Sequence, residues 1–330
     1  MSLEKRLLEI WYGGAPVPLI LRALVPVYRG LCALQRAPYV LGWRQPQRLP
    51  VPVIVVGNIT VGGTGKTPLV IALVEAMRER GRKPGVVSRG YGGSANSPTL
   101  VDSSSNAAQS GEEPLLIRRA TGMPVAVGRD RVAAAQLLLA AGDGNEAAVD
   151  MIIADDGLQH YPLFRNVEIC VIDGERRFGN GLLLPAGPLR EPLARLDTVI
   201  FRVCNGGLAQ AGEIPMRLVG DTIVAVSDAA ARRPLRDFAG QRVHAVAGIG
   251  NPARFFALLR AAGIDAIEHP FADHHPYRLG DLDFSDGLPV LMTEKDAIKC
   301  AAFAHANLWQ VPVRAELPRE FFDALARQRI

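Results

Sequence analysis

Cysteine is scarce in this chain, with four among 330 residues. Cys32, Cys170, Cys204 and Cys300 never form a Cys-x-x-Cys pair. That spacing excludes a disulfide framework and a zinc cluster and fits a reducing compartment. A long uncharged apolar run is also missing, which excludes a spanning helix. Pro16, Pro18, Pro26 and nearby arginines interrupt any secretory core. There is no internal repeat and no Asn/Thr-Lys-x-Asp guanine reader. "TEKD" at 293–296 sets Lys295 directly against Asp296, so ATP is favoured over GTP.

Charge is present but unevenly placed. Residues 1–50 carry seven Lys and Arg against two Glu. The whole chain has a formal net charge of +4, so the remainder sums to −1. A basic head on a neutral body argues against nucleic acid, whose binders spread basic surface over the folded domain. Within the head, Ile20, Leu24, Val27, Leu31 and Leu34 recur at helical spacing, with Arg22, Arg29 and Arg36 on another face. An amphipathic helix follows, either lying in a membrane interface or packed on the body.

From residue 51 the pattern alternates apolar strands with helices, which predicts an α/β fold with a mostly parallel sheet and flanking helices. "VPVIVVG" is apolar throughout, as in strands covered on both faces. Residues 94–110 read as a polar loop and 206–221 as a connection. A boundary near 220 divides a head at 1–50 and a core at 51–220 from a smaller α/β unit at 221–330.

After the first strand comes "VGGTGKTP". The general phosphate-loop pattern G-x-x-x-x-G-K-[ST] is met except that Thr60 stands at the first glycine. Gly62, Gly63, Thr64 and Gly65 let backbone N–H groups face phosphate oxygens at a helix start. Lys66 can reach the β- and γ-phosphates, and Thr67 can ligate Mg²⁺. "MIIADD" supplies Asp155 and Asp156 at a strand end, the form of a metal-holding acid pair.

Further polar clusters sit where ligands of open α/β sheets bind. These are "SRGYGG" with Arg89 and Tyr91, "GRDR" with Arg131, "DDGLQH" with Gln159 and His160, and "LPAGPLREP" with Arg190 and Glu191. A general base could come from Glu112 or Glu113 of "SGEEP", paired with His274 or His275 of "FADHHPY". Imidazolium would keep such a carboxylate ionised and oriented.

In this order, with "GIGNP" and "TEKDAIK", the motifs resemble those of the lipid A 4′-kinases, the tetraacyldisaccharide 4′-kinases of Gram-negative bacteria, over nearly the whole chain. The resemblance implies a P-loop NTPase-like core, a smaller C-terminal domain joined by a hinge, and residence at the cytoplasmic face of the inner membrane. It implies transfer of the γ-phosphate of MgATP to the 4′-hydroxyl of a tetraacylated disaccharide 1-phosphate, giving lipid IVA. No obligate protein partner is expected. By position, Lys66 and Thr67 belong to nucleotide and Mg²⁺, and Asp155 and Asp156 to the metal region. Arg89, Tyr91, Arg131, Gln159, His160, Arg190 and Glu191 fall on active-site or substrate positions. The catalytic pair implied is an acid of G-D-E-P with a histidine of D-H-H. Here Glu112 replaces the aspartate, one methylene longer, with Glu113 as substitute, and His274 is favoured over His275. With a lipid substrate the interfacial reading of the head gains weight. A P-loop GTPase or metallochaperone, or a non-enzymatic membrane adaptor, would be the alternatives.

Overall fold

The computed structural model describes residues 3–95, 97–102, 104–141, 148–301, 303 and 307–328. Two helices, α1 (Leu3–Tyr12) and α2 (Leu19–Val40), precede the first strand, β1 (Val53–Gly57). Then follow α3 (Lys66–Glu79), β2 (Pro84–Ser88), β3 (Thr99–Val101), α4 (Ala107–Ser110), α5 (Glu112–Thr121), β4 (Val125–Val127), α6 (Arg131–Ala141) and β5 (Met151–Ala154). The strands β6 (Val167–Asp173), β7 (Phe201–Asn205) and β8 (Glu213–Val219) complete the main run. A second group holds β9 (Thr222–Ala225), β10 (Arg232–Pro234), β11 (Arg242–Ala247), α7 (Pro252–Ala261), β12 (Asp265–Pro270), β13 (Val290–Thr293), α8 (Glu294–Cys300) and β14 (Leu308–Val311). The chain ends with β15 (Arg314–Glu316) and α9 (Arg319–Ala326).

The strands form two sheets. The larger runs β15-β8-β7-β6-β1-β5-β2-β4-β3, parallel except at its two outermost strands. The smaller runs β10-β9-β14-β13-β11-β12, with its last four strands parallel. This is the expected α/β fold. Every residue of β1 is buried because helices cover both faces. Ile54 and Val56 pack with Leu69 and Leu73 of α3 on one face, and Val53 and Val55 with Leu138 of α6 on the other.

The chain's direction across the larger sheet reverses at β1, whose neighbours are β5 and β6. A crevice therefore opens at the carboxyl end of β1, the usual ligand position in such sheets.

The structure departs from the sequence reading in three places. The polar stretch 94–110 contains β3 and α4, and the connection 206–221 contains β8. Neither has the long apolar run that announces a strand, because both lie toward a sheet edge and are buried on one side only. The end of the segment 221–330 also crosses back. β15 pairs with β8, and Phe321 of α9 meets Phe201 edge-on at 5.4 Å between ring centroids. We call the larger sheet with its helices, including β15 and α9, the first lobe, and the smaller sheet with its helices the second.

The head forms helices as expected, but its apolar stripe is open to solvent. Ile20 is 72% exposed, Leu31 60% and Leu34 73%. The reading in which this face packs on the body is therefore excluded. Among the described residues no helix is long and apolar enough to cross a membrane.

Candidate active site between the two lobes

The loop after β1 is shaped by glycine. Gly62 has φ +101° and Gly65 φ +91°, a region that favours glycine. Gly65 is the N-cap of α3, so the helix begins at Lys66 with its free N–H groups facing the crevice. A methyl group on Gly65 would come within 2.2 Å of the Asn205 side chain. Asn205 in turn donates to the Thr64 carbonyl at 2.9 Å, holding the loop from β7.

At the end of β5 the two acids separate in character. Asp155 is fully buried and accepts from the Ser88 hydroxyl at 3.3 Å. Burial, reinforced by the charge of Glu113 and opposed by Lys66, pushes its carboxyl up to about 7. Asp156, at φ +47°, meets Lys66 at 3.6 Å and Arg190 at 3.0 Å. Burial would raise its carboxyl too, but Lys66 and Arg190 outweigh it and hold the group far below the usual carboxylate range. Low dielectric both penalises the unpaired acid and strengthens the paired one.

Around Asp156 the expected substrate residues converge. Arg131 donates to the Asp156 carbonyl at 2.9 Å. Arg190 and Lys66 both donate to the Asn58 side chain, at 3.2 and 3.3 Å. Gln159 donates to the Asn58 carbonyl at 3.0 Å and to Glu191 at 2.7 Å. Glu191 also accepts from Tyr161 and lies 3.7 Å from Arg195. Thus Glu191 is buried and its carboxylate faces Gln159 and these two partners. His160 is pushed down to about 4 by burial and by Arg131, so its imidazole is neutral. Arg89 and Tyr91 lie at the rim, Tyr91 62% exposed with its ring 5.1 Å from that of His274.

Several buried polar atoms here have no hydrogen-bond partner among the described residues. They are Asn58 Nδ2, Thr64 Oγ1, Arg131 Nε, Asp155 Oδ1, Gln159 Oε1 and His160 Nε2. An orphaned buried polar group costs about 1–3 kcal/mol. Their grouping in one crevice is the mark of a site built to receive a polar ligand.

The second lobe brings the remaining chemistry. His274, at φ +60°, places Nδ1 3.1 Å from Glu112 Oε2. His275 instead binds Asp281 at 3.2 Å within its own segment. Glu113 is engaged by Lys295 at 3.2 Å, and Lys295 also lies 3.4 Å from Asp273. Burial would raise the Glu112 carboxyl, but His274, Lys299 and Lys295 outweigh it and hold it below the ordinary glutamate range. Sequence reading missed both lysines. Their signal was present, since positions 295 and 299 are four apart and share one face of a helix.

Between the lobes lies a cavity of about 640 Å³, lined by Gly63–Pro68, Glu113, Asn205, Asn251, Arg254 and Lys295 among others. Its walls are tied together. Arg176 donates to the Gly250 carbonyl at 2.7 Å and to Asn251 at 3.2 Å, and Arg254 reaches Asp173 at 2.9 Å. On the opposite flank α2 rests on the polar cluster. Tyr28 donates to the Arg190 carbonyl at 3.1 Å and Gln35 to the Gln159 carbonyl at 3.4 Å.

Comparison with known proteins agrees with this geometry. The family described as LpxK, tetraacyldisaccharide-1-P 4′-kinase, matches residues 17–329. The tetraacyldisaccharide 4′-kinase of Stenotrophomonas maltophilia (strain R551-3) is 54% identical over 325 residues, covering 96% of this chain and 94% of the relative. That of Xanthomonas euvesicatoria pv. vesicatoria (strain 85-10) is 53% identical over 328 residues, covering 96% and 93%. Among solved structures, "apo" form LpxK from Aquifex aeolicus in complex with ATP superposes with a TM-score of 0.74 at 25% identity, covering 94% of this chain and 99% of that one. Likeness of this extent leaves no support for a GTPase or metallochaperone, and the chain belongs to the tetraacyldisaccharide-1-P 4′-kinase family.

Proposed function

We propose that this protein transfers the γ-phosphate of ATP to the 4′-hydroxyl of a tetraacyldisaccharide 1-phosphate, at the cytoplasmic face of the inner membrane. The observation that carries this reading is the Glu112–His274 pair, 3.1 Å apart, which joins the two lobes next to Glu113, a residue that lines the cavity together with the phosphate loop. In the reaction the 4′-oxygen attacks the γ-phosphorus, the bond to the β–γ bridging oxygen breaks, and the hydroxyl proton passes to Glu112. His274 donates to the same carboxylate, keeping it oriented. Lys66 faces the β- and γ-phosphate oxygens, with the N–H groups of 62–67 around them.

The residues also fit Mg²⁺, which takes oxygen ligands. Thr67 lines the cavity, and Asp155 has a buried carboxylate oxygen without a hydrogen-bond partner among the described residues. Thr67, Asp155 and Asp156 would hold the ion, which when bound supplies charge neutralisation at the phosphates. Arg89, Tyr91, Arg131, Gln159, His160 and Arg190 bind the disaccharide and its phosphate, and Glu191 orients Gln159. The exposed stripe of α2 enters the interface beside these residues, so one helix links bilayer and site. We read residues 1–50 as the interfacial segment. The crossings at 219–222 and 311–314 act as a hinge between the lobes.

The test is incubation with labelled ATP or GTP, Mg²⁺ and the lipid disaccharide monophosphate. A lipid product with one added phosphate is expected from ATP and falls about 10²-fold or more in Glu112→Gln. GTP hydrolysis with no lipid product would refute the reading.

A further inference from the structure

The base at Glu112 sits at the first turn of α5 in the first lobe, yet its carboxylate is served from the second. Among the described residues its hydrogen bond goes to His274, and its ion pairs go to His274, Lys295 at 3.9 Å and Lys299 at 3.7 Å. Both lysines stand on α8. Lys299 is itself held by Asp296 at 2.9 Å, and Asp296 is fully buried, bound by the Gly248 N–H and the Thr293 hydroxyl. Lys299 is therefore presented by a fixed support. The side chains of Lys295, Lys299 and Glu112 are only 16%, 10% and 11% exposed, so screening by water is weak.

Resting on the reading of Glu112 as the base, we propose that Lys295 and Lys299 are positioning residues that make its ionised, aligned state conditional on lobe closure. With the lobes together, three cationic or donor groups converge on one carboxylate. With the lobes apart, Glu112 is an ordinary exposed glutamate with no orienting partner, and transfer to water is not assisted. Such gating protects ATP from hydrolysis until both substrates are enclosed.

The groups that face Glu112 are Glu113 on α5, and Asp273, His274 and Tyr277 in the segment after β12. From α8 they are Lys295, Asp296 and Lys299, and Asp155 approaches through Glu113. Against this set Lys299 is the cleanest probe, since among the described residues its ion pairs are with Glu112 and its own support, and its one ring contact is with Tyr277 at 4.9 Å. It stabilises the charged carboxylate, so its removal raises the pH at which Glu112 ionises. The acid limb of the rate profile must then move to higher pH, by about one unit for a cation at this distance.

The experiment records kcat against pH for the full-length protein with ATP, Mg²⁺ and lipid disaccharide monophosphate. Lys299→Met should shift the acid limb upward by about one unit, and Lys299→Arg should restore it. Because Lys299→Met leaves Asp296 without its cation, the double variant D296N/K299M repeats the measurement with that buried charge removed. A second arm loosens closure far from the base. Arg176→Gln, which cuts the ties to Gly250 and Asn251, should raise the acid limb of kcat/KM for ATP while leaving that of kcat in place at saturation. An unmoved limb in both K299M and D296N/K299M, with E112Q inactive, overturns the positioning role and spares the base. An unmoved kcat/KM limb in R176Q overturns the dependence on closure. A near-normal rate in E112Q overturns the base and this proposal together.

Discussion

Replacing Gly65 with alanine tests how the phosphate loop is held. The backbone there has φ +91°, which costs a non-glycine residue about 1–3 kcal/mol. The added methyl would lie 2.2 Å from Asn205 Nδ2, so that buried side chain must move. Moving it breaks the 2.9 Å bond to the Thr64 carbonyl, worth about 1 kcal/mol net. The total is about 3 kcal/mol, or a fall in melting temperature of about 6 °C at roughly 2 °C per kcal/mol for a large chain. The decisive measurement is a double-mutant cycle with Asn205→Ala, followed by thermal melting and by the KM for ATP. Asn205→Ala alone loses the same hydrogen bond but adds no clash. In the double variant the clash has vanished and the bond is counted once, so the cost should be less than the sum by about 1 kcal/mol. Strict additivity of the two changes would refute the contact as the cause. An unchanged KM for ATP in Gly65→Ala would refute the role of this loop in holding phosphate.

Other expectations follow from the same structure. Replacing Leu31 and Leu34 by Asp removes the apolar stripe of α2 without touching its contacts to Arg190 and Gln159. Sedimentation with anionic vesicles should then show a loss of association of about tenfold or more, since each buried leucine is worth about 1.5–3 kcal/mol. Association equal to the parent would exclude the stripe as the membrane contact. The pH dependence of stability has a defined sign. Glu112 ionises below its ordinary value of 4.5 in the folded state, so its contribution is present above that pH and fades as the pH falls through the folded value. Glu112→Gln should flatten the acid side of the melting-temperature profile, and an identical profile would show that the carboxylate gains nothing from its neighbours.

The larger sheet was legible where strands are buried on both faces. β1 and β5 are apolar throughout, and the phosphate loop and acid pair stand at their ends. The edge strand β3 and the next-to-edge strand β8 were not, because one open face removes the continuous apolar signal. The return of β15 to the first sheet was also hidden. Three residues carry no periodicity, and their partner, β8, lies about a hundred positions earlier. At the site, Lys66, Asp155, Asp156, Arg190 and Gln159 were all marked by motif and do converge. Glu191 was marked as well, but the structure shows it facing Gln159, Tyr161 and Arg195, a placement no spacing encodes.

Residue types and their local order determined by themselves the α/β class, the phosphate loop and the basic, apolar head, since each depends on neighbours within a few positions. Pairing across the chain was decided only by tertiary structure. Glu112 and Glu113 stand side by side on one helix turn and are chemically alike. The second lobe separates them, directing His274 to the first and Lys295 closest to the second, because helix geometry points adjacent side chains about 100° apart. The same folding turned the apolar stripe of α2 outward, since the adjoining flank of the helix is engaged through Tyr28 and Gln35 with Arg190 and Gln159.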